Sequence, residues 1–183
     1  MRITTRTLVI AAVFLAITLL LGQIPFLGFV PMPWGINATT LQIPTILAGI
    51  IAGPIGGLLT GLGFGVTSFI RAGQPGGNII FTDPLISILP RLFIGPVAWA
   101  VYAALRRRNE VLAAAVGGAA GSLTNTVLVV GMIILTGKLA PAVIIPIGAA
   151  NGSGEAIVSA AVTLAVVAAW RGIAIGRRRG ASI

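Results

Sequence analysis

The chain has no cysteine and no histidine, and only three of its 183 residues are Asp or Glu. Without cysteine there is no disulfide framework, thiolate metal site or Cys nucleophile. Without histidine there is no imidazole base and no use of the commonest metal ligand. Three carboxylates are too few to hold a two-metal phosphotransfer centre. No Gly-rich loop runs into Lys followed by Ser or Thr, so the chain cannot itself supply an ATPase. Charge of either sign is scarce at 8% of residues, where an ordinary soluble domain has roughly a quarter. A water-soluble globule is excluded, and so is most catalytic machinery.

What is abundant is apolar surface: 57% of residues are hydrophobic and the mean hydropathy is +1.08. With about 20 apolar residues per span, this length holds at most six or seven spans, which predicts one polytopic membrane unit over residues 1–183. The net charge of +9 would raise nucleic-acid binding in a soluble protein. Here the basic residues flank hydrophobic runs instead, and no nucleic-acid partner is expected. The start, MRITTRTLVIAAVFLAITLLLG, reads as a first span rather than a signal peptide, because no small-x-small cleavage site follows Gly22.

Pro, Gly and charge clusters punctuate six runs: Thr5 to Gly22, Ala38 to Ala52, Pro54 to Ile70, Asp83 to Leu105, Val111 to Thr136, and Asn151 to Ile175. In lipid the backbone must satisfy its own hydrogen bonds, and none of these runs has the alternation of a barrel strand, so an all-α integral membrane fold with six transmembrane helices is predicted. With the N-terminus inside, Arg2, Arg6, Arg106, Arg107, Arg108, Arg171, Arg177, Arg178 and Arg179 flank the inner side, against Arg71 and Lys138 outside. That bias predicts an N-in, C-in topology. Gln23 to Asn37, with three prolines and two glycines, reads as an ordered outer loop. Leu139 to Ala150 is either a short surface helix or the early part of the last span. The link Ala52, Gly53, Pro54 is short enough to make runs two and three an antiparallel hairpin. No internal repeat supports the two-halved design of many secondary carriers.

Glycines 53, 57, 61 and 65 recur every four residues in the third run, and Gly117 and Gly121 in the fifth. Absent side chains at that spacing let a neighbouring backbone approach closely, and close packing within the bundle is the reading preferred for both. Ala12 and Ala16 form a small-xxx-small pair in the first run. Intramolecular packing and a docking surface for another membrane protein are both open for that pair.

The polar residues carry more. Asp83, Arg91 and Glu155 are ionisable groups in or at the edge of spans, where facing lipid is costly, so they are expected to face a cavity or one another. Arg91 lies about 12 Å deeper than Asp83, and Thr124, Asn125 and Thr126 lie roughly 20 Å up from Val111. Asn151 and Glu155 are expected to open the sixth helix from outside. These groups converge on the outer half of the bundle, with Gln74, Asn78 and Thr82 from the preceding loop. Such clustering under a mouth makes a small-molecule site. An Arg91 to Glu155 ion pair that only braces two helices is the competing reading, and Asp83 is equally well a helix N-cap ahead of Pro84.

Four stretches give the chain a likeness: IPTILAGIIAGPIGGLLTGLGFGVTSFI (Ile43 to Ile70), TDPLISILPRLFIGPVAWAVYAALRRR (Thr82 to Arg108), GSLTNTVLVVGMIILTG (Gly121 to Gly137) and NGSGEAIVSA (Asn151 to Ala160). Together they resemble the substrate-binding S components of energy-coupling factor (ECF) vitamin transporters. The DPL-x-x-x-x-PR and LTNT stretches look most like the pantothenate type, with riboflavin and folate types close behind. The resemblance implies a six-helix subunit of a prokaryotic plasma membrane that captures a vitamin from outside and hydrolyses no ATP. It also implies partners: a transmembrane coupling subunit and two ATPase subunits. The implied substrate-binding set is Asn78, Asp83, Arg91, Thr124, Asn125, Asn151 and Glu155, under a lid of the Gln23 to Asn37 and Arg71 to Phe81 loops. Ala12 and Ala16 match the family's docking pair for the coupling subunit. No cofactor or metal is implied. A small autonomous transporter or channel is the rival reading, for which a polar track to the cytoplasmic side is expected; below Arg91 the runs are mainly Gly, Ala, Leu, Ile and Val.

Overall fold

The computed structural model describes residues 4–24 and 26–172. Arg2, Pro25, Ile175, Arg177, Arg178 and Arg179, on which parts of the sequence reading rest, lie outside them. Thr4 opens helix α1 (Thr5–Gln23), its hydroxyl accepting from the Thr7 amide at 3.2 Å. A two-rung antiparallel ladder follows, β1 (Phe29–Val30) against β2 (Ala38–Thr39), with Phe29 opposite Thr39 and Val30 opposite Ala38. Helix α2 (Gln42–Ala52) then runs to Gly53, whose φ of 89° makes the turn into α3 (Pro54–Ala72). That φ suits a residue without Cβ, and Pro54 supplies a preset first helical position. The predicted hairpin is therefore present.

The next segment is broken: a 3₁₀ turn at Ile79–Thr82, a single turn α4 (Pro84–Ser87), and α5 (Leu89–Leu105). Two long helices close the bundle, α6 (Glu110–Leu135) and α7 (Pro141–Arg171).

Among the described residues, five segments are long and apolar enough to cross a membrane, counting α4 and α5 as one. Their outward faces carry exposed Leu20, Val127, Leu135 and Ile157, as a lipid-facing surface requires. The second run differs from expectation. Its first residues pair in the ladder, and the eleven-residue helix that remains is about 16 Å long, half of a hydrocarbon core of about 30 Å. The last run differs in the opposite sense: the helix begins at Pro141 and carries Pro146 within it, so Leu139 to Ala150 is mostly its first part. Asn151 and Glu155 thus lie well inside α7 rather than opening it.

Glycine explains how the bundle closes. A Cβ on Gly57 would lie 2.7 Å from the Gly95 Cα, and one on Gly65 would lie 2.8 Å from the Ile88 Cα. At Gly61 it would run into the Arg91 carbonyl oxygen. Helices α3 and α5 therefore meet backbone to backbone, as the four-residue spacing predicts for three of its four members; Gly53 belongs to the turn. Across the bundle Gly118 approaches the Ser159 carbonyl and Gly152 approaches Thr126, joining α6 to α7. A core of Leu41, Ile46, Phe64, Ile94 and Tyr102 fills the middle, and a smaller cluster of Ile86, Val129, Ile133 and Ile144 lies between α4, α6 and α7.

The two ends of the bundle differ in charge. Arg6, Arg106, Arg107, Arg108 and Arg171 share the end where α1 and α6 begin and α5 and α7 finish; Arg71 and Lys138 belong to the other.

Candidate functional site

The connection from α1 to α2 is exposed for much of its length, with Phe26, Leu27 and Trp34 on the surface, and among its described residues only Gly28, Ala38 and Leu41 are buried. Irregular backbone in a membrane bundle is tolerated where it lines a cavity, and three cavities adjoin the Asn37 to Thr39 segment, which includes β2. One, of about 340 Å³, lies under the Arg71 to Phe81 loop and is walled by Phe29, Asn37, Arg71, Asn78, Phe81 and Arg91. A second, of about 60 Å³, shares Asn37, Thr39, Phe81 and Arg91 and continues to Asn125, Asn151 and Glu155. A third, of about 320 Å³, is largely apolar and meets the second at Thr39, Asn151 and Glu155. The first two form one bent chamber with Arg91 at the join, of the size small-ligand sites have.

Arg91 is 4% exposed. Its guanidinium carbon lies 5.3 Å from the ring centroids of both Phe64 and Phe81, a double cation–π arrangement. Nη1 donates to the Ile86 carbonyl. That carbonyl is available because Pro90, four residues on, has no amide to offer it. Nε is buried without a partner. The brace expected as an alternative is not formed: among the described residues the one ion pair within 4 Å joins Arg171 to Glu110 at 3.5 Å. Arg91 thus brings a cation with no ion-pair partner within 4 Å, close to two aromatic rings, to the wall of the chamber.

Facing it is a polar network centred on Gln42, which is wholly buried. Its Oε1 accepts from Asn125 Nδ2 at 3.1 Å, and its Nε2 donates to Ser122 at 2.9 Å, to Glu155 at 3.2 Å and to Ser159 at 3.4 Å. The other Glu155 oxygen accepts from the Thr39 amide at 2.6 Å. Asn125 Oδ1 is left buried without a partner. A buried polar atom in that state costs about 1–3 kcal/mol, which a ligand donor would relieve.

The loop is tied down by side chains from two directions. Asn151 accepts from Trp34 Nε1 at 3.0 Å and donates to the Ile36 carbonyl at 3.1 Å. Asn78 donates to the Gly35 carbonyl at 3.1 Å.

Of the seven residues expected in the site, Asn78, Arg91, Asn125, Asn151 and Glu155 line the chamber. Asp83 and Thr124 do not: Asp83 accepts from the Leu85 amide at 3.0 Å as an N-cap, and the Thr124 hydroxyl returns to the Ala120 carbonyl at 2.7 Å. Ala12 and Ala16 are exposed on α1, and Ala12 lines a groove of about 600 Å³ between α1 and α3. The sequence reading passed over Gln42, Thr39, Ser122 and Ser159, and did not single out Trp34 within the Gln23 to Asn37 loop. The signal for Gln42 was available, since an amide inside an apolar run needs a buried partner.

Fold and site together define a multi-pass membrane protein with a walled polar chamber at one end of its helical bundle. A family model described as "ECF transporter, substrate-specific component" matches residues 6–167, and the chain belongs to that family. It is 30% identical over 139 residues to the pantothenate transporter PanT of Leuconostoc mesenteroides, covering 72% of this chain and 68% of that protein. It is 29% identical over 181 residues to the pantothenic acid transporter PanT of Lactococcus lactis, covering 87% of this chain and 91% of that one.

Proposed function

We propose that the chain is the pantothenate-capturing subunit of an ECF importer in a prokaryotic plasma membrane. It lies N-in and C-in, so that the arginine-rich end faces the cytoplasm and the chamber opens outward. Pantothenate has one carboxylate, an amide and two hydroxyls. A single unpaired guanidinium facing neutral amides, hydroxyls and one engaged carboxylate is the complement of that pattern. The names of the two relatives support the same cargo. In this reading Arg91 takes the carboxylate, Asn125 and Glu155 take amide or hydroxyl donors, and Asn78 and Asn151 hold the lid. The loaded subunit docks through the Ala12 face of α1 on a transmembrane coupling subunit driven by two ATPases.

The observation that carries the reading is the buried, unpaired Arg91. The test is to purify the chain alone in mild detergent and measure binding of pantothenate, riboflavin, folate, thiamine and biotin by calorimetry and co-purification. Tight binding of pantothenate alone is expected. Arg91→Ala removes charge-assisted hydrogen bonds of about 1.5–3 kcal/mol, so affinity falls about 10- to 150-fold while expression stays normal. Loss of folding in that variant would mean that Arg91 serves packing against Phe64 and Phe81 rather than the cargo. Tight binding of riboflavin instead, stacked on the loop aromatics Phe26, Phe29, Trp34 and Phe81, would overturn the cargo assignment and leave the family standing.

A further inference from the structure

At the end of the bundle away from the chamber, a cavity of about 560 Å³ lies between the start of α1, the end of α2 and the end of α7. Its wall carries Arg6 and Arg171, the Thr4 and Thr7 hydroxyls and Trp170, over an apolar floor of Ile10 and Ile51. The two arginines come from opposite ends of the chain and converge on one space. Arg171 is oriented by Glu110, which accepts in turn from the Tyr102 hydroxyl at 2.7 Å, and the ion pair uses Arg171 Nε. The Arg171 Nη1 and Nη2 groups make no hydrogen bond among the described residues. Arg6 has no carboxylate within 4 Å among the described residues.

We infer that this cavity is a headgroup site for an anionic phospholipid, its phosphate held between Arg6 and Arg171. Three features on the same surface favour a lipid over a soluble anion. The arginines sit at one end of each of two helices long and apolar enough to cross a membrane. Trp170, 53% exposed, is the amphipathic side chain that settles at that boundary. From the cavity outward, α1 exposes Val9 and, one turn on, Val13, an apolar surface for the acyl chains. The inference is independent of the cargo.

The test titrates the detergent-purified full chain with phosphatidylglycerol or phosphatidylcholine of the same acyl chains and counts bound lipid by native mass spectrometry. At about fivefold per arginine, the wild type binds phosphatidylglycerol roughly 30-fold more tightly. The Arg6→Gln, Arg171→Gln double variant loses that preference, whereas Arg6→Lys with Arg171→Lys keeps most of it. Should the double glutamine variant fail to fold, judged by its thermal midpoint, Arg6→Gln alone reads out a fivefold loss without touching the Arg171 pair. Equal binding of the two lipids by the wild type, or an unchanged preference in the glutamine variants, overturns the proposal. Displacement of phosphatidylglycerol by an equal concentration of inorganic phosphate overturns it too, in favour of a soluble-anion site.

Discussion

Replacing Gly61 by Ala tests the link between helix packing and the chamber. The added methyl would overlap the Arg91 carbonyl oxygen and lie 3.0 Å from the Arg91 carbonyl carbon and 3.5 Å from the Leu92 Cα. These are backbone atoms, so no rotamer change relieves the overlap; α3 and α5 must separate by roughly an ångström to reach ordinary contact distance. Overpacking of this kind costs about 1–3 kcal/mol, and the helix propensity of Ala over Gly returns up to about 1 kcal/mol. A net loss of about 1–2 kcal/mol is expected in the ligand-free protein. The displaced carbonyl belongs to Arg91 itself, so pantothenate affinity falls with stability, by about tenfold for each 1.4 kcal/mol of misplacement. Gly131→Ala and Gly154→Ala are the controls: a Cβ there meets nothing within 4 Å, and each should be neutral or slightly stabilising. Thermal unfolding in detergent and calorimetry with pantothenate read the two effects separately. If Gly61→Ala melts no lower than Gly154→Ala and binds as tightly as wild type, the backbone seam does not set the position of Arg91.

Three further outcomes are expected. Gln42→Leu removes the shared partner of Asn125, Ser122, Glu155 and Ser159, and should lower unfolding stability by about 2–4 kcal/mol, since each orphaned buried group costs about 1–3; a loss below about 0.5 kcal/mol would show the network rewires. Trp34→Phe keeps the ring but not the indole donor to Asn151, so stopped-flow measurements should show pantothenate leaving several-fold faster, about 1 kcal/mol's worth, with little change in association. Ala12→Leu, on an exposed face of α1, should leave pantothenate binding by the isolated subunit intact and abolish uptake in cells carrying the whole transporter; joint loss of both would mean that Ala12 serves folding.

Helix boundaries punctuated by glycine and proline were legible from local chemistry: Gly53 and Pro54 marked the α2–α3 turn, and Asp83 with Pro84 marked the start of α4. The spacing of Gly57, Gly61 and Gly65 announced a close neighbour but not which one, because periodicity marks a face and not its partner. Two boundaries were obscured for one reason. Apolar composition does not distinguish a ladder strand from a helix turn at Ala38 to Thr39, nor a surface helix from a continued span at Pro141 to Ala150. In the site, Arg91 and Glu155 stood out because charge is rare in this chain. Their separation did not, since it depends on Pro90 freeing the Ile86 carbonyl and on Gln42 and Thr39 occupying Glu155. Gln42 itself was overlooked as a neutral residue among apolar ones.

The α3–α5 seam has a consequence for how such a scaffold changes cargo. Arg91 hangs from the glycine seam where α3 and α5 touch backbone to backbone, whereas Asn78, Asn125, Asn151 and Glu155 come from the loop before α4, from α6 and from α7. Substitutions that retune recognition therefore need not pass through the positions that hold the helices together. Apart from Arg91, the polar lining and the glycine joint thus occupy separate parts of the chain, so residues of the lining can change while the joint stays unaltered.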